Sequence, residues 1–390
     1  MNRARALVLV TFWLEACGPS YSELKVDQIA RVAVTVDDPD QRFCAYQPVA
    51  LRALVTYKNG KQVQSRVPGE GSKSRLRTSE FQWSANHGEL DRDAVLLIRD
   101  DPLAWFDEPV SVSAQVIARP ELVGQGALHP RFDCGGTLNL RGANGARGGE
   151  AEDGGPGEPG PDVEVALAYV DGAHSGRLVL VRVQRGSEAP EYFIIDPRDP
   201  QAPFVIDARG GNGGGGGQGN MGLLGIPGVD GRPGADGVEC NGGMPGQDGT
   251  DGEPGGPGGP GANGGRGGTG GIVRIRHDSR FPELADHIRV RVEGGGAGEA
   301  GGAGPGGLGG AGGKGGTGGK GGKVTGQCEG ADGASGRNGA TGENGPSGSI
   351  GQPGRLGEPG AVHRSAVDVA ELFAEEIGRG VPVVTETGAN

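Results

Sequence analysis

The sequence predicts a mainly β protein: an N-terminal β-sandwich, then small β units alternating with bundles of polyproline II (polyglycine II) helices. Three observations lead there. From Gly210 to Gly270 every third residue is glycine except Cys240, 20 of 21 positions. A period of three belongs to neither the α-helix nor the strand but to polyproline II, and a bare glycine face lets another backbone approach closely. Short runs of alternating apolar and polar residues flank these repeats, as half-buried strands do. Finally, 84 of the 390 residues are Gly, 27 are Pro and only 4% are aromatic, so a conventional side-chain core cannot run the length of the chain.

The formal net charge of −12 argues against a nucleic-acid partner and fits a solvated, extracytoplasmic surface. The length suggests two or three folding units. No apolar stretch long enough to span a bilayer follows the N-terminus.

Residues 1–17 read as an export signal: Arg3 and Arg5 form a basic region and 6–14 (ALVLVTFWL) a short apolar one. Leu14-Glu15-Ala16-Cys17 then resembles the lipobox of bacterial lipoproteins. That resemblance implies lipidation of Cys17, a membrane partner through the lipid anchor and, since Gly18 rather than aspartate follows, an outer-membrane destination. Four cysteines would remain, an even number suited to an oxidising compartment.

Residues 25–140 predict the sandwich. Strands are expected at 30–36, 49–57, 61–67, 81–85, 94–98 and 110–117, with Asn59-Gly60 as a hairpin turn and Trp83 in the core. The order Tyr57-Lys58-Asn59-Gly60, Trp83-Ser84, Gly88-Glu89-Leu90, then 110–116 (VSVSAQV) is similar to bacterial immunoglobulin-like domains, which implies a stalk or spacer. Cys44 and Cys134 flank the domain and are candidates for a closing disulfide.

A first glycine run, 141–161, keeps one frame with a lapse at Ala151. A small β unit is expected over 162–209, the second glycine run over 210–271, and a hairpin-like β unit over 272–293. The third run, 294–362, is Gly-Gly-X in its middle, then Gly-X-Y in an unbroken frame from Gly330 to Gly360. Residues 363–390 predict a helix, N-capped by Ser365 and ended by Gly378, and a last strand at 381–385.

Three readings of the glycine runs stand at this stage. The collagen-like one gives a homotrimer, yet Cys240 would bring a side chain to the crowded axis, and the six prolines of the central run all sit just before a glycine. The bundle reading packs short polyglycine II helices of one chain: interior helices need two bare faces (Gly-Gly-X), rim helices one (Gly-X-Y), and Cys240 and Cys328 could staple neighbours. This resembles the glycine-rich lattices of snow-flea antifreeze proteins and of some phage tail adhesins, in architecture only. The third reading is disorder, which strict periodicity and bracketing strands oppose.

Sites for chemistry are missing from the pattern. Gly-x-Gly-x-x-Gly matches are by-products of the repeat, and neither Lys314 nor Lys320 is followed by Ser or Thr, so no phosphate loop is encoded. The six histidines are scattered. Asp248 and Asp251 are a weak Ca²⁺ candidate, with solvated turn acids the plainer reading. Lys314, Lys320 and Lys323 read as a charged edge. No cofactor and no catalytic residue are expected. The functional expectation is a non-enzymatic structural or adhesive surface lipoprotein with a surface protein or polysaccharide as ligand. The alternatives are a trimeric collagen-like stalk and an ice- or polysaccharide-binding face using Thr269, Ala311 and Thr317.

Overall fold

The computed structural model describes residues 21–71, 75–198 and 203–385. Cys17 and the rest of the expected export signal lie outside the described residues.

The protein is mainly β, with several sheets. In the N-terminal part, alternation builds a sheet of seven strands. Val110–Val116 buries Val110, Val112, Ala114 and Val116, and Ile29–Thr35 buries Ile29, Val32 and Val34, so each strand turns one face inward. Along the sheet the order is Gln62–Gln64, Arg52–Tyr57, Ile29–Thr35, Val123–Arg131, Val110–Val116 and Phe81–Ala85, with Arg42–Cys44 also paired to Val123–Arg131. A small sheet of Val49–Ala50, Val95–Leu97 and Glu89–Leu90 shares its core. Asn59-Gly60 closes the expected hairpin, Gly60 taking φ 82° as this turn requires. The core tryptophan is Trp105, 1% exposed; Trp83 is half-buried at the rim, because its strand is the sheet's edge. Cys44 and Cys134 are bonded, Cα atoms 5.7 Å apart.

Beyond Cys134 the expected serial units do not form. Gly136–Asn139, placed by sequence in the first domain, instead pairs in parallel with Phe204–Asp207, which pairs in parallel with Ile288–Arg291. A second sheet runs Glu191–Ile195, Gly176–Gln184, Val163–Gly172, Ile272–Asp278, Ala361–Val367, its last three strands parallel. The expected hairpin over 272–293 is therefore corrected: Ile272–Asp278 and Ile288–Arg291 lie in different sheets. The two sheets bury Val165, Leu167, Val181, Ile206 and Ile275 between them. The other face of the five-stranded sheet, with Ala168, Val170, Leu180 and Ile194, joins the core of the N-terminal sheets. Burial on both faces explains the nearly unbroken apolar run of Val163–Gly172.

Polar contacts lock this junction. The Tyr46 hydroxyl accepts the Ile194 N–H at 2.6 Å, and Asp107 accepts the N–H groups of Ala173 (2.7 Å) and His174 (2.9 Å). The C-terminus is a second lock. Ala361–Val367 is a strand, since pairing with Ile272–Asp278 outweighs a helix begun at Ser365. Asp368 then caps the short helix Val369–Leu372, its carboxylate accepting the Ala370 N–H at 2.8 Å, and a second short helix, Ala374–Gly378, follows. Glu376 is fully buried and accepts from Arg182 (2.8 Å) and from the Tyr192 hydroxyl (2.8 Å). Burial pushes the Glu376 carboxyl up, but those hydrogen bonds outweigh it and hold the group below the usual carboxylate range. Instead of a strand at 381–385, only a single bridge joins Val383 to Val170.

The two parallel sets of strands are the root of the glycine runs. Each strand of the set Gly136–Asn139, Phe204–Asp207, Ile288–Arg291 leads out into an extended glycine segment. Each strand Val163–Gly172, Ile272–Asp278, Ala361–Val367 receives one coming back. The three glycine runs are thus six extended segments, called rods here: rod 1 (140–149), rod 2 (152–161), rod 3 (208–238), rod 4 (241–271), rod 5 (292–322) and rod 6 (330–360).

Candidate functional site

The rods are extended and belong to no α-helix or β-sheet, yet their amides are paired every third residue with neighbouring rods. Rod 3 donates from Gly222, Gly225 and Gly228 to the carbonyls of Pro305, Leu308 and Ala311 on rod 5, and so on along its length. Rod 5 donates from Gly307, Gly310 and Gly313 to rod 4, and rod 6 from Gly342, Gly345 and Gly348 to rod 5. Rod 4 is bonded twice per repeat: Gly243, Gly246 and Gly249 donate to rod 6, while Met244, Gln247 and Thr250 donate to rod 3. Rods 3, 4 and 5 touch one another, as do rods 4, 5 and 6. The short rods 1 and 2 lie against the root-proximal parts of rods 3 and 4.

Glycine doubling follows the number of neighbours. Near the root, a Cβ on Gly211, Gly214 or Gly217 would strike carbonyls of rod 1, and one on Gly265 or Gly268 would strike carbonyls of rod 2. Beyond the reversal at 149–152 those covering rods are gone, and the same position of rod 3 reads Asn220, Leu223, Ile226, Val229. Rod 5 is Gly-Gly-X from Gly306 to Gly322, where a Cβ on Gly310 would meet rod 3 and one on Gly309 rod 6; nearer the root, Ala297, Ala300 and Ala303 take the second slot.

Both lapses in the glycine frame are reversals. Ala151, at φ 56°, lies in the turn between rods 1 and 2, and Cys240 follows Glu239, also at φ 56°, between rods 3 and 4. Cys240 is bonded to Cys328 in the turn between rods 5 and 6, with Cα atoms 5.6 Å apart. That disulfide joins the two distal turns.

Side chains complete the pairing at the rim. Asp230 and Asp236 accept the backbone N–H of Lys314 and Lys320, each at 2.7 Å, and Asn338 and Asp332 accept from Gly315 (2.8 Å) and Gly321 (2.7 Å). Asp248 and Asp251, the weak Ca²⁺ pair, accept the N–H groups of Arg337 and Ala340, each at 2.6 Å, and so act as cross-links between rods 4 and 6. This use of Asp and Asn was not read from the sequence, although their recurrence before glycine was its signal. Among the described residues there is no group of three or more His, Cys, Asp or Glu placed to hold a metal ion. Pro227, Pro233, Pro245, Pro254, Pro257 and Pro260 are all exposed, where a missing N–H costs nothing.

The outward positions carry the recognition potential. The row on rod 5 that includes Ala311 and Thr317 reads Pro305, Leu308, Ala311, Lys314, Thr317, Lys320, a mixed row in which long side chains interrupt the small ones. Thr269 is not part of it; it lies near the root, its carbonyl accepting from Gly160. No family model matches the chain, and no curated protein or solved structure proved similar to it. Among the described residues no helix is long and apolar enough to cross a membrane.

Proposed function

We propose that the protein is a non-enzymatic surface lipoprotein, anchored through Cys17, that holds a rigid glycine-rich module away from the membrane as a structural or adhesive element. In this reading the rods are polyglycine II helices, and the N-terminal sheets are an immunoglobulin-like stalk. At about 3.1 Å per residue the four long rods would extend roughly 90 Å. The observation that carries the reading is the pairing of glycine amides between rods at every third residue, within one chain. Glycine then serves the lattice, and the side chains between glycines face outward for a partner.

The test is made on intact cells expressing the protein. A clickable palmitate analogue is expected to label the wild type but not Cys17→Ser. An antibody to the distal turn at 323–329 is expected to stain unpermeabilised cells. A soluble, unlabelled protein, or staining only after permeabilisation, would remove the surface-lipoprotein reading.

A further inference from the structure

Rod 3 carries an apolar stretch unlike the rest of the bundle: Met221, Leu223, Leu224, Ile226 and Val229 are 58%, 83%, 62%, 63% and 72% exposed. Leu308 of rod 5 adds to it at 61%, its carbonyl accepting the Gly225 N–H between them. The other large exposed apolar residues of the rods, Val238, Met244, Ile350 and Leu356, lie elsewhere along the rods. Soluble monomers rarely expose a contiguous apolar patch of more than a few hundred Å².

The stretch begins where a backbone interface inside the chain ends. Near the root, Gly211, Gly214 and Gly217 donate to carbonyls of rod 2 and are covered by rod 1. From Asn220 onward the same row is open. Among the described residues, the amides of Asn220, Leu223 and Ile226 have no hydrogen-bond partner, and that of Val229 reaches only the Thr250 hydroxyl, at 2.7 Å. Beside the row, Gly256 and Gly259 of rod 4 leave a groove. The nearest atoms to a Cβ there would be the amide nitrogens of Leu223 (3.2 Å) and Asn220 (3.1 Å), both on rod 3, and no other rod covers them.

We propose that this row is a homodimer interface, with rod 3 of a second copy lying antiparallel across it. In a three-residue repeat, residues three apart share a face, so Leu223, Ile226 and Val229 line up at equal spacing. A two-fold axis through Ile226 brings Leu223 onto the partner's Val229 and Ile226 onto its own counterpart, the self-complementarity that a two-fold interface demands. Asn220 then meets the partner's Arg232. The three apolar side chains of the row, this exposed, supply on the order of a few hundred Å² per copy, below the roughly 800 Å² a side of a standard stable interface, which fits a dimer that dissociates on dilution. Asp230 and Asp236 next to the row, and the net charge of −12, disfavour an anionic membrane as the occupant.

The purified protein, Ile226→Arg and Ile350→Arg are compared by sedimentation equilibrium over a dilution series, with circular-dichroism melts of each. Ile350 is as exposed as Ile226 but lies on rod 6. The wild type and Ile350→Arg are expected at twice the chain mass, dissociating on dilution, and Ile226→Arg at the chain mass throughout with an unchanged melt. Independently, Ile226→Cys is expected to give a disulfide-linked dimer on a non-reducing gel where Ile350→Cys gives none. A wild type that stays monomeric at every concentration, a trimer, or a dimer indifferent to Ile226→Arg overturns the proposal.

Discussion

Gly310→Ala is expected to destabilise the bundle by about 3 kcal/mol or more, while Gly302→Ala, in the same rod, is expected to be neutral or slightly stabilising. The two residues differ only in what lies beside them. A methyl on Gly310 would land on the carbonyl of Ile226, and it cannot be relieved by a rotamer change because backbone of rod 3 is what it meets. Moving rod 3 away would break the neighbouring bonds from Gly225 to Leu308 and from Gly228 to Ala311. A methyl on Gly302 has the flexible Gln218 side chain as its nearest neighbour, at 4.0 Å, and alanine lowers the entropy of the unfolded chain by comparison with glycine. Denaturant melts of the pair check this. Equal effects at both sites would mean that rods 3 and 5 are not in contact.

The double variant Cys240→Ser/Cys328→Ser is expected to lose about 4.6 kcal/mol, the entropy of a closed loop of this size. The cysteines are 88 residues apart in sequence. The loss should also be felt most at the tip. The bond ties the turn between rods 3 and 4 to the turn between rods 5 and 6, far from the sheets. Amide exchange should therefore accelerate most at Gly237, Gly319 and Gly330 and least at Gly211, Gly268 and Gly295, which lie near the root. Loss of stability spread evenly from root to tip would contradict this placement of the disulfide.

Much of this arrangement is legible in the sequence. The frame of three, the contrast between Gly-Gly-X and Gly-X-Y, and the exposed slot of the prolines follow from backbone geometry, because a bare glycine face lets a neighbouring rod approach closely. Pairing of Cys44 with Cys134 and of Cys240 with Cys328 is as the sequence suggested. What the sequence hides is the number of rods. The reversals at Ala151 and Cys240 keep the glycine frame, so each antiparallel pair reads as one continuous run. The only trace is the missing glycine at the turn. Strand partners are hidden for another reason: parallel pairing between Phe204–Asp207 and Ile288–Arg291 spans a whole rod excursion, and no local pattern encodes it. Trp83 and Trp105 show the same limit on a smaller scale: Trp83 sits on the edge strand of its sheet, while Trp105, in the turn after Pro102–Ala104, is covered by Phe43, Tyr46 and Phe132, which no local pattern encodes. Met221 to Val229 reads as ordinary repeat because its glycine frame is intact; its significance appears only once rods 1 and 2 are seen to end beside it.

Residue-resolved hydrogen exchange along rod 4 tests the central claim, that the glycine runs fold against one another within one chain. Two amides in three should be protected there: the glycines 243, 246, 249 and 252, which donate to rod 6, and also Met244, Gln247, Thr250 and Glu253, which donate to rod 3. Asp248 and Asp251 should exchange quickly. Protection of the glycines alone would signify a collagen-like trimer, in which one amide in three is bonded, and fast exchange throughout would signify disorder; either result would contradict the account.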